Sequence, residues 1–314
     1  MNVDSQKDFS YVVIADPKSD RAEKYLNLNT LPKVSFCIPT LNNEGTIEAC
    51  LSSIVAQDYP SIEIIIIDGY SNDRTVEIAK KFTDNILFDS GTYGSACQTG
   101  FRYSSGEIIA LFDSDLIIPH NSWLKEAIRY FNYAPNVSTV WPLLVAPPNS
   151  SLFARLYQTN LHRIFIEHRM TRKIGLYGGG NSLFLRSCLE KIGGINPSIH
   201  WGADFDWAQK LKQLGYRVVY LNDPIYHDTM RTFRLFVRKQ FTGAKTFTKY
   251  GFQFMGLSFK DILYEHFVLG TIAMVKGIFI DRDPSWIYFP FLLIVRSVAY
   301  GHTYIRNLRF LNAR

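Results

Sequence analysis

Short apolar runs alternate with longer amphipathic stretches along the first half of the chain. Four runs carry at most one charge and are long enough for strands: residues 33–39, 62–67, 85–88 and 108–112. A strand that is covered on both faces shows such a run instead of strict alternation. Between the runs, apolar residues recur at helical spacing, as at Ile47, Leu51 and Ile54. The pattern predicts an α/β fold with a mostly parallel, Rossmann-like sheet and flanking helices.

Each predicted strand ends at a residue of distinctive chemistry, and these residues are Pro39, Asp68, Asp89 and Asp113. Right-handed crossovers bring the carboxyl ends of parallel strands to one edge of a sheet. Open α/β sheets bind ligands in the crevice outside that edge, so we expect a crevice of nucleotide size there. Asp68 has two interpretations at this position: it accepts hydrogen bonds from a nucleotide, or it begins a turn that caps the next helix.

The residues Asp113-Ser114-Asp115 follow the fourth run directly. Carboxylates two positions apart in an extended chain point the same way and repel each other, unless a hard cation such as Mg²⁺ or Mn²⁺ lies between them. The alternative is a solvated turn, because motifs this short recur by chance. The motif alone leaves both interpretations open.

Two segments in the second half carry candidate chemistry. Three glycines precede Asn181 and would let the backbone approach a ligand closely, although a mobile loop would have the same composition. Asp204 and Asp206 follow Gly202 in the first turn of a predicted helix. Acidic residues also stabilise the start of any helix, so this second segment has a purely structural interpretation as well.

The last sixty residues contain two apolar stretches, 262–280 and 286–304, each near the ~20 residues that cross a bilayer. The short linker 281–285 predicts a hydrophobic helical hairpin. Asp261, Glu265 and Lys276 fall on one side of the first helix, which favours a helix lying in the membrane interface. Basic residues outside the pair and an acidic linker favour a spanning hairpin instead. A buried soluble hairpin is the third alternative.

Composition narrows the classes of partner. A net charge of +6 suits phosphate ligands or anionic lipid head groups but falls short of a nucleic-acid footprint, so we expect no nucleic acid. The four cysteines show no metal-ligand spacing, which predicts buried free thiols and favours a reducing compartment. The first thirty residues lack the apolar core of a signal peptide, so export is not expected.

The ordered motifs resemble those of family 2 glycosyltransferases of the GT-A fold over roughly residues 33–250. The segments that carry the resemblance are Ile38–Glu44, Asp68–Asp73, Gln98–Gly100, Gly106–Asp115, Gly180-Asn181 with Arg186, Gly193-Gly194, and Gly202–Asp206. It implies an extension at 1–32, a GT-A domain at 33–250 and membrane-associated helices at 251–314. No single segment is decisive, but their shared order is specific.

The resemblance implies a role for each matching residue. Pro39, Asn42 and Glu44 contact the nucleotide, Asp68 binds the base, Asp113 and Asp115 form the ribose and metal pair, Asp204 is the general base, His227 lies near the metal or diphosphate, Arg238 pairs with the diphosphate, and Gly180, Asn181 and Asp206 belong to the acceptor region. Ala203 stands where the family usually has Glu, so a carboxylate that often positions the acceptor is absent. A structural His227 is the alternative to a ligand, since lone histidines are more often structural.

These roles imply an inverting, Mg²⁺- or Mn²⁺-dependent glycosyltransferase. Similarity of the hydrophobic tail to membrane-bound mannosyl- and glucosyltransferases makes GDP-mannose the first expected donor and a UDP-sugar the second. The expected acceptor is a lipid-linked (polyprenyl) glycan or phosphate, reached from the cytoplasmic face of the cell membrane. A nucleotidyltransferase is one alternative, but its usual glycine-rich basic loop is missing from Thr40–Glu44. A non-catalytic membrane-bound sugar-binding scaffold is the other alternative. Such a scaffold would be signalled by loss of Asp113, Asp115 or Asp204, and all three are present.

Overall fold

Nine strands in the described part of the chain form one mixed, mostly parallel sheet. The structure is a computed structural model that describes residues 11–17, 31–172, 178–199, 202–246, 259–280 and 282–311. The strands are β1 (Val12–Ala15), β2 (Val34–Thr40), β3 (Ile62–Asp68), β4 (Ile86–Phe88), β5 (Ile108–Leu111), β6 (Leu116–Ile117), β7 (Val137–Val145), β8 (Ser182–Leu185) and β9 (Arg217–His227). Their order is β1-β9-β7-β8-β5-β2-β3-β4, and β6 pairs with β9 outside this path.

The direction of the strands decides which residues meet at the ligand edge. β8 is antiparallel to both of its neighbours, β5 and β7, while the other pairs along the path are parallel. The carboxyl ends of β2, β3, β5 and β9 therefore share one edge with the amino end of β8. Pairing of Leu116 with His227 then brings the end of β9 against the turn after β5.

Helices cover both faces of the sheet because alternate strand residues point to opposite faces. Their bounds are α1 (Ile47–Val55), α2 (Thr75–Ala79), α3 (Tyr93–Tyr103), α4 (Trp123–Ala127), α5 (Leu152–Ala154), α6 (Arg163–Thr171), α7 (Arg186–Lys191), α8 (Ala203–Gln213), α9 (Phe233–Thr246), α10 (Phe259–Leu263), α11 (Gly270–Phe279) and α12 (Phe289–Leu311). Phe36 and Ile38 pack with α1, α2 and α4 on one face, whereas Cys37 packs with α3, α7 and α8 on the other. Burial on both faces explains the continuous apolar runs.

The strands at the far edge differ from the sequence prediction. The predicted extension supplies β1, which pairs with β9 from Val12 to Ala15. The sequence pattern also predicts a strand at 217–220, and in the structure this strand, β9, continues to His227 because its second half pairs with β7 and β6. Residues 1–10, 18–30 and 247–258, including the predicted boundary at 250 and 251, lie outside the described residues. The four cysteines are buried free thiols, as predicted.

The segments at 151–170 and in the predicted hairpin are helical, and each contains a π-helical stretch. Arg155–His162 is π-helical between α5 and α6, and Tyr264–Leu269 is π-helical between α10 and α11. α11 and α12 pack together with α9 and the α5–α6 segment around a third apolar cluster that includes Phe236, Trp286 and Phe289.

Buried polar contacts hold these helices to the rest of the protein. Arg169 donates two hydrogen bonds to the fully buried Glu265, at 2.7 and 2.6 Å. Arg296 donates to His266 (2.8 Å), Tyr157 (3.1 Å) and Gln240 (3.1 Å). Within residues 259–280 and 282–311, no helix is both long and apolar enough to cross a bilayer. The spanning form of the predicted hydrophobic hairpin is thus unsupported, since charged residues that it would carry into lipid are engaged within the protein.

Candidate active site

Three potential metal ligands meet at the carboxyl edge of the sheet. Asp113 and Asp115 lie in the turn after β5, and His227 ends β9. One oxygen of each carboxylate and one ring nitrogen of His227 lie within 4.8 Å of one another. These three residues are the metal ligands that the sequence predicted.

The environment of His227 and Asp115 fits a divalent cation. Nε2 of His227 is 3.2 Å from Oδ1 of Asp115, yet among the described residues neither of the two buried ring nitrogens of this partly buried histidine has a hydrogen bond of good geometry. A cation between the side chains would satisfy these polar atoms, and imidazole and carboxylate are both ligands of first-row divalent metals. Burial raises the pKa of Asp115, but attraction to His227 and Lys239 outweighs it, so the pKa is lowered overall. The carboxyl is therefore ionised and ready to bind a metal.

Asp113 is held by two residues from other parts of the chain. Tyr93, the first residue of α3, donates its hydroxyl hydrogen to Oδ1 of Asp113 at 3.2 Å. Asn181, just before β8, donates from Nδ2 to Oδ2 at 3.0 Å and accepts the backbone N–H of Asp113 at 2.9 Å. Burial and the nearby carboxylates raise the pKa of Tyr93 well above its ordinary value, so its hydroxyl remains a donor.

Asp204 lies in the first turn of α8, behind the same carboxylates. Gly202, with φ of +84°, lets the chain turn into this helix. Burial and the charge of Asp113 together raise the pKa of Asp204 to about 6, although hydrogen bonds from the backbone N–H groups of Phe205 and Gly180 oppose this shift. A carboxyl group with such a pKa exchanges its proton near neutrality, which suits a general base.

Two glycines of the glycine segment leave no room for a side chain, and one of them lies against Asp204. A Cβ on Gly179 would lie 2.9 Å from Cβ of Asp204. At Gly178, where φ is +68°, a Cβ would meet Thr139 and Val218 at 2.8 and 2.9 Å. The glycines predicted to approach a ligand thus approach the candidate base, and Gly180 and Asn181 contact Asp204 and Asp113, respectively.

The residues predicted to contact the nucleotide form a separate group along the same edge. Asn42 accepts the N–H of Asn72 at 2.8 Å, and Glu44 accepts the N–H of Arg74 at 3.2 Å, so the turns after β2 and β3 are joined. Pro39 is partly exposed on β2. Asp68 is fully buried, and its two oxygens accept the N–H and hydroxyl of Ser71 at 2.8 and 2.6 Å. These hydrogen bonds stabilise the turn after β3, and the contact of Asp68 with a nucleotide base stays a prediction.

Two basic residues lie near the candidate metal ligands: Arg231, which the sequence interpretation missed, and Lys239, which directly follows the predicted Arg238. Arg231 donates to the carbonyl of Gly45 at 3.0 Å and is paired with Asp228, whose own N–H donates to the carbonyl of Asp115 at 2.8 Å. Lys239 lowers the pKa of Asp115 by its charge, and both Lys239 and the predicted Arg238 are exposed on α9. Arg231 thus bridges the nucleotide loop and the metal ligands.

Asp206 and Tyr93 complete the comparison with the sequence prediction. Residues two apart on a helix do not share a face, and Asp206 pairs with Lys210 at 2.8 Å, away from Asp204. Tyr93 was missed, although a signal was present: it stands four residues before Cys97 and seven before Gly100, and both of these face the sheet. That spacing turns Tyr93 toward the sheet edge.

A protein-family model and two curated relatives that match this chain are all glycosyltransferases. The model for "Glycosyl transferase family 2" matches residues 35–193. Glycosyltransferase AglE of Haloferax volcanii is 30% identical over 229 residues, which are 69% of this chain and 73% of AglE. The probable glycosyltransferase YdaM of Bacillus subtilis is 26% identical over 269 residues, covering 77% of this chain and 62% of YdaM.

Solved structures share the fold at low sequence identity. The mannosyltransferase PcManGT of Pyrobaculum calidifontis, in complex with GDP-Man and Mn²⁺, has a TM-score of 0.62 at 18% identity, with 90% of this chain and 92% of that chain covered. The glucosyl-3-phosphoglycerate synthase of Mycobacterium tuberculosis, in complex with Mn²⁺ and UDP-glucose, has a TM-score of 0.51 at 17% identity, with 76% and 86% covered. The GT-A-like sheet with flanking helices is confirmed.

Proposed function

Because this chain belongs to glycosyl transferase family 2 and is a glycosyltransferase, we propose that it moves a hexose from a nucleotide sugar to a lipid-linked acceptor with inversion at the anomeric carbon. GDP-mannose is the first proposed donor and a UDP-sugar is the second. The proposed location is the cytoplasmic face of the cell membrane.

One observation carries the proposal: Asp204, a partly buried carboxyl with a pKa of about 6, lies within electrostatic reach of Asp113 in the metal-ligand cluster. Single displacement needs these two elements, since an acceptor hydroxyl must lose its proton while a diphosphate leaves on the opposite side. A positioned base contributes roughly 10²- to 10⁴-fold in rate. We assign the proton from the acceptor to a carboxylate oxygen of Asp204.

The remaining residues act on the donor. Asp113, Asp115 and His227 would hold Mg²⁺ or Mn²⁺, which when bound neutralises charge on the departing diphosphate. Arg231 and Lys239 add positive charge on the side of the nucleotide loop. Because the departing nucleoside diphosphate is anionic and the sugar is neutral, these positive charges would stabilise the leaving group.

The choice of donor and acceptor has separate support. GDP-mannose is supported by the fold shared with the mannosyltransferase that binds GDP-Man and Mn²⁺, and a UDP-sugar by the synthase that binds UDP-glucose. A lipid-linked glycan is favoured over a polyprenyl phosphate, because a sugar hydroxyl needs a base such as Asp204 and a phosphate oxygen is already ionised at neutral pH.

The surface of the C-terminal helices supports the proposed location at a membrane. The C-terminal helices expose large apolar side chains, among them Phe267, Phe279, Ile280, Ile287 and Ile294. Exposed Lys260, Lys276 and Arg306 are interspersed with them and would meet anionic head groups. Such a surface supports a protein that lies on the membrane interface, where a lipid-linked acceptor would reach the site.

A donor screen tests this function. The purified full chain is incubated with GDP-mannose, UDP-glucose or UDP-N-acetylglucosamine and with membrane lipid extract, in the presence of Mn²⁺, Mg²⁺ or EDTA. We expect release of a nucleoside diphosphate from one donor, with a lipid-extractable glycosylated product, in the presence of metal. Asp204→Asn should retain donor binding and lose transfer, while the exposed Asp84→Asn should behave like the wild type.

Three results would contradict the proposal. Undiminished turnover in EDTA would contradict the metal requirement. Turnover by Asp204→Asn would contradict the assignment of Asp204 as the general base. Release of pyrophosphate instead of a nucleoside diphosphate would identify a nucleotidyltransferase.

A further inference from the structure

We propose that Tyr93 and Asn181 are positioning residues that clamp Asp113 from both sides and thereby set the affinity of the metal-ligand cluster. This inference rests on the proposed function, because it assigns the cluster a divalent cation. It gives Asn181 a different role from the acceptor contact that the sequence suggested.

The clamp uses both carboxylate oxygens of Asp113. Oδ1 accepts from the Tyr93 hydroxyl at 3.2 Å, and Oδ2 accepts from Nδ2 of Asn181 at 3.0 Å. Each carboxylate oxygen has two lone pairs, so one hydrogen bond on each leaves the other lone pair for a ligand. The two bonds together fix the rotation of the carboxylate about its Cβ–Cγ bond.

Asn181 is itself fixed by the sheet. Its backbone N–H donates to the carbonyl of Leu111 at 2.9 Å, its side-chain Oδ1 accepts the N–H of Asp113 at 2.9 Å, and its φ is +61°. Asparagine adopts this left-handed conformation more readily than most residues. Because Oδ1 accepts, Nδ2 must be the atom that faces Asp113, so the amide orientation follows from the contacts.

Tyr93 is fixed from the opposite side. Thr92 caps α3 by accepting the N–H of Ser95 at 3.0 Å and donates its hydroxyl to the carbonyl of Pro197 at 2.7 Å. A Cβ on Gly94 would lie 2.4 Å from the carbonyl oxygen of Asn196, so the start of α3 lies directly on that loop. The Tyr93 hydroxyl is therefore presented by a rigid helix end.

The clamp has a physical task. Asp113 is surrounded by like charges, with Asp115 in the same cluster and Asp204 close enough for its pKa to respond. Without a cation, repulsion would turn the Asp113 carboxylate away from its neighbours, and two neutral donors oppose that rotation. Outer partners of metal ligands typically change metal affinity by about 10- to 100-fold when removed.

The test measures binding of Mn²⁺ alone by electron paramagnetic resonance, with the full chain and no donor. Tyr93→Phe removes the hydroxyl and keeps the ring, and Asn181→Gly removes the amide and keeps access to positive φ. We expect each variant to weaken Mn²⁺ binding about 10-fold. Transfer activity should fall at limiting Mn²⁺ and recover when Mn²⁺ is raised, which a general loss of structure would not do.

Matched controls exist on the same chain. Tyr103→Phe removes an exposed hydroxyl from the other end of α3, and Asn136→Gly makes the same change at another positive-φ asparagine, φ +59°, remote from the site. Both controls should bind Mn²⁺ like the wild type. Wild-type affinity in Tyr93→Phe and Asn181→Gly would overturn the clamp alone. A wild-type chain that binds no Mn²⁺ would overturn the metal site and the clamp with it.

Discussion

Asp204, the proposed general base, costs the protein stability when it is ionised. Its pKa is about 6 in the folded protein, compared with 3.8 for an unperturbed Asp, because burial and the charge of Asp113 disfavour the ionised form. The folded protein therefore holds a proton that the unfolded chain releases. Stability that is present below pH 4 is lost as the pH rises through about 6, and the full cost remains at higher pH.

This cost predicts that removing the charge stabilises the protein. In the absence of metal, Asp204→Asn should raise the free energy of unfolding by about 3 kcal/mol near pH 8, and should change it little near pH 4. Thermal unfolding in EDTA at the two pH values measures the difference, and Asp84→Asn serves as the control for loss of an exposed carboxylate. A variant that is less stable than the wild type near pH 8 would show that the Asp204 carboxylate is stabilised by its site.

The site residues that the sequence could predict are those with a local signature. Asp113 and Asp115 directly follow an apolar run, and Asp204 lies in the first turn of a helix that follows a glycine. The neighbouring residues in the sequence therefore identify them as candidates. Arg231 has no such signature, because its partner Gly45 is 186 positions away. Nor could Asn181 be assigned to Asp113 before the antiparallel placement of β8 was known.

At the scale of elements, burial decided which strands the sequence could predict. β2, β3 and β5 lie in the middle of the sheet and read as continuous apolar runs. β9 was predicted too short, since Asn222, Asp223 and Pro224 interrupt its apolar pattern. Asp223 is accommodated in the strand by pairing with His120 at 3.1 Å, a contact between residues 103 positions apart. The edge strand β1 also lies in an apolar run, residues 11–15, but the sequence interpretation left that run within the extension.

Close approach of α11 to the turn before α12 depends on one glycine. A Cβ on Gly277 would lie 2.1 Å from the indole ring of Trp286, which is buried. Gly277→Ala should displace Trp286 and loosen the packing of α11 against α12, with a loss of about 1–3 kcal/mol in the free energy of opening these helices. Hydrogen exchange of residues 270–311 measures that opening.

Gly301 provides the matched control within the same pair of helices. A Cβ at Gly301 would meet no described atom within 4 Å. Gly301→Ala should therefore slow hydrogen exchange of α12 slightly, because alanine is favoured over glycine inside a helix by about 0.5–1 kcal/mol. Equal exchange in the two variants would mean that Trp286 moves aside at no cost and that the glycine at 277 is not required.

At the scale of the whole molecule, the C-terminal helices reverse the usual arrangement of polar and apolar side chains. Glu265, His266 and Arg296 are buried against the α5–α6 segment and α9, whereas Phe279 is 76% exposed and Ile294 60% exposed. The apolar content of the C-terminal helices can be read from the sequence. Which face of each helix is buried cannot, because that depends on partners such as Arg169 and Gln240 in other helices. An exposed surface rich in large apolar side chains marks an interaction site.

The reversed arrangement predicts binding to membranes that contain anionic lipid. The full chain should float with vesicles of phosphatidylglycerol and phosphatidylcholine, and Phe279→Asp or Ile294→Asp should reduce the bound fraction. Removal of one large apolar side chain from a lipid contact costs about 1.5–3 kcal/mol, which is at least a 10-fold loss in partitioning. Val55→Asp changes a side chain of similar exposure on α1. This variant should float like the wild type, because α1 packs on the sheet and is not one of the C-terminal helices. Equal losses in all three variants would indicate a general effect of added charge, and full binding by the two helix variants would exclude this surface as the membrane contact.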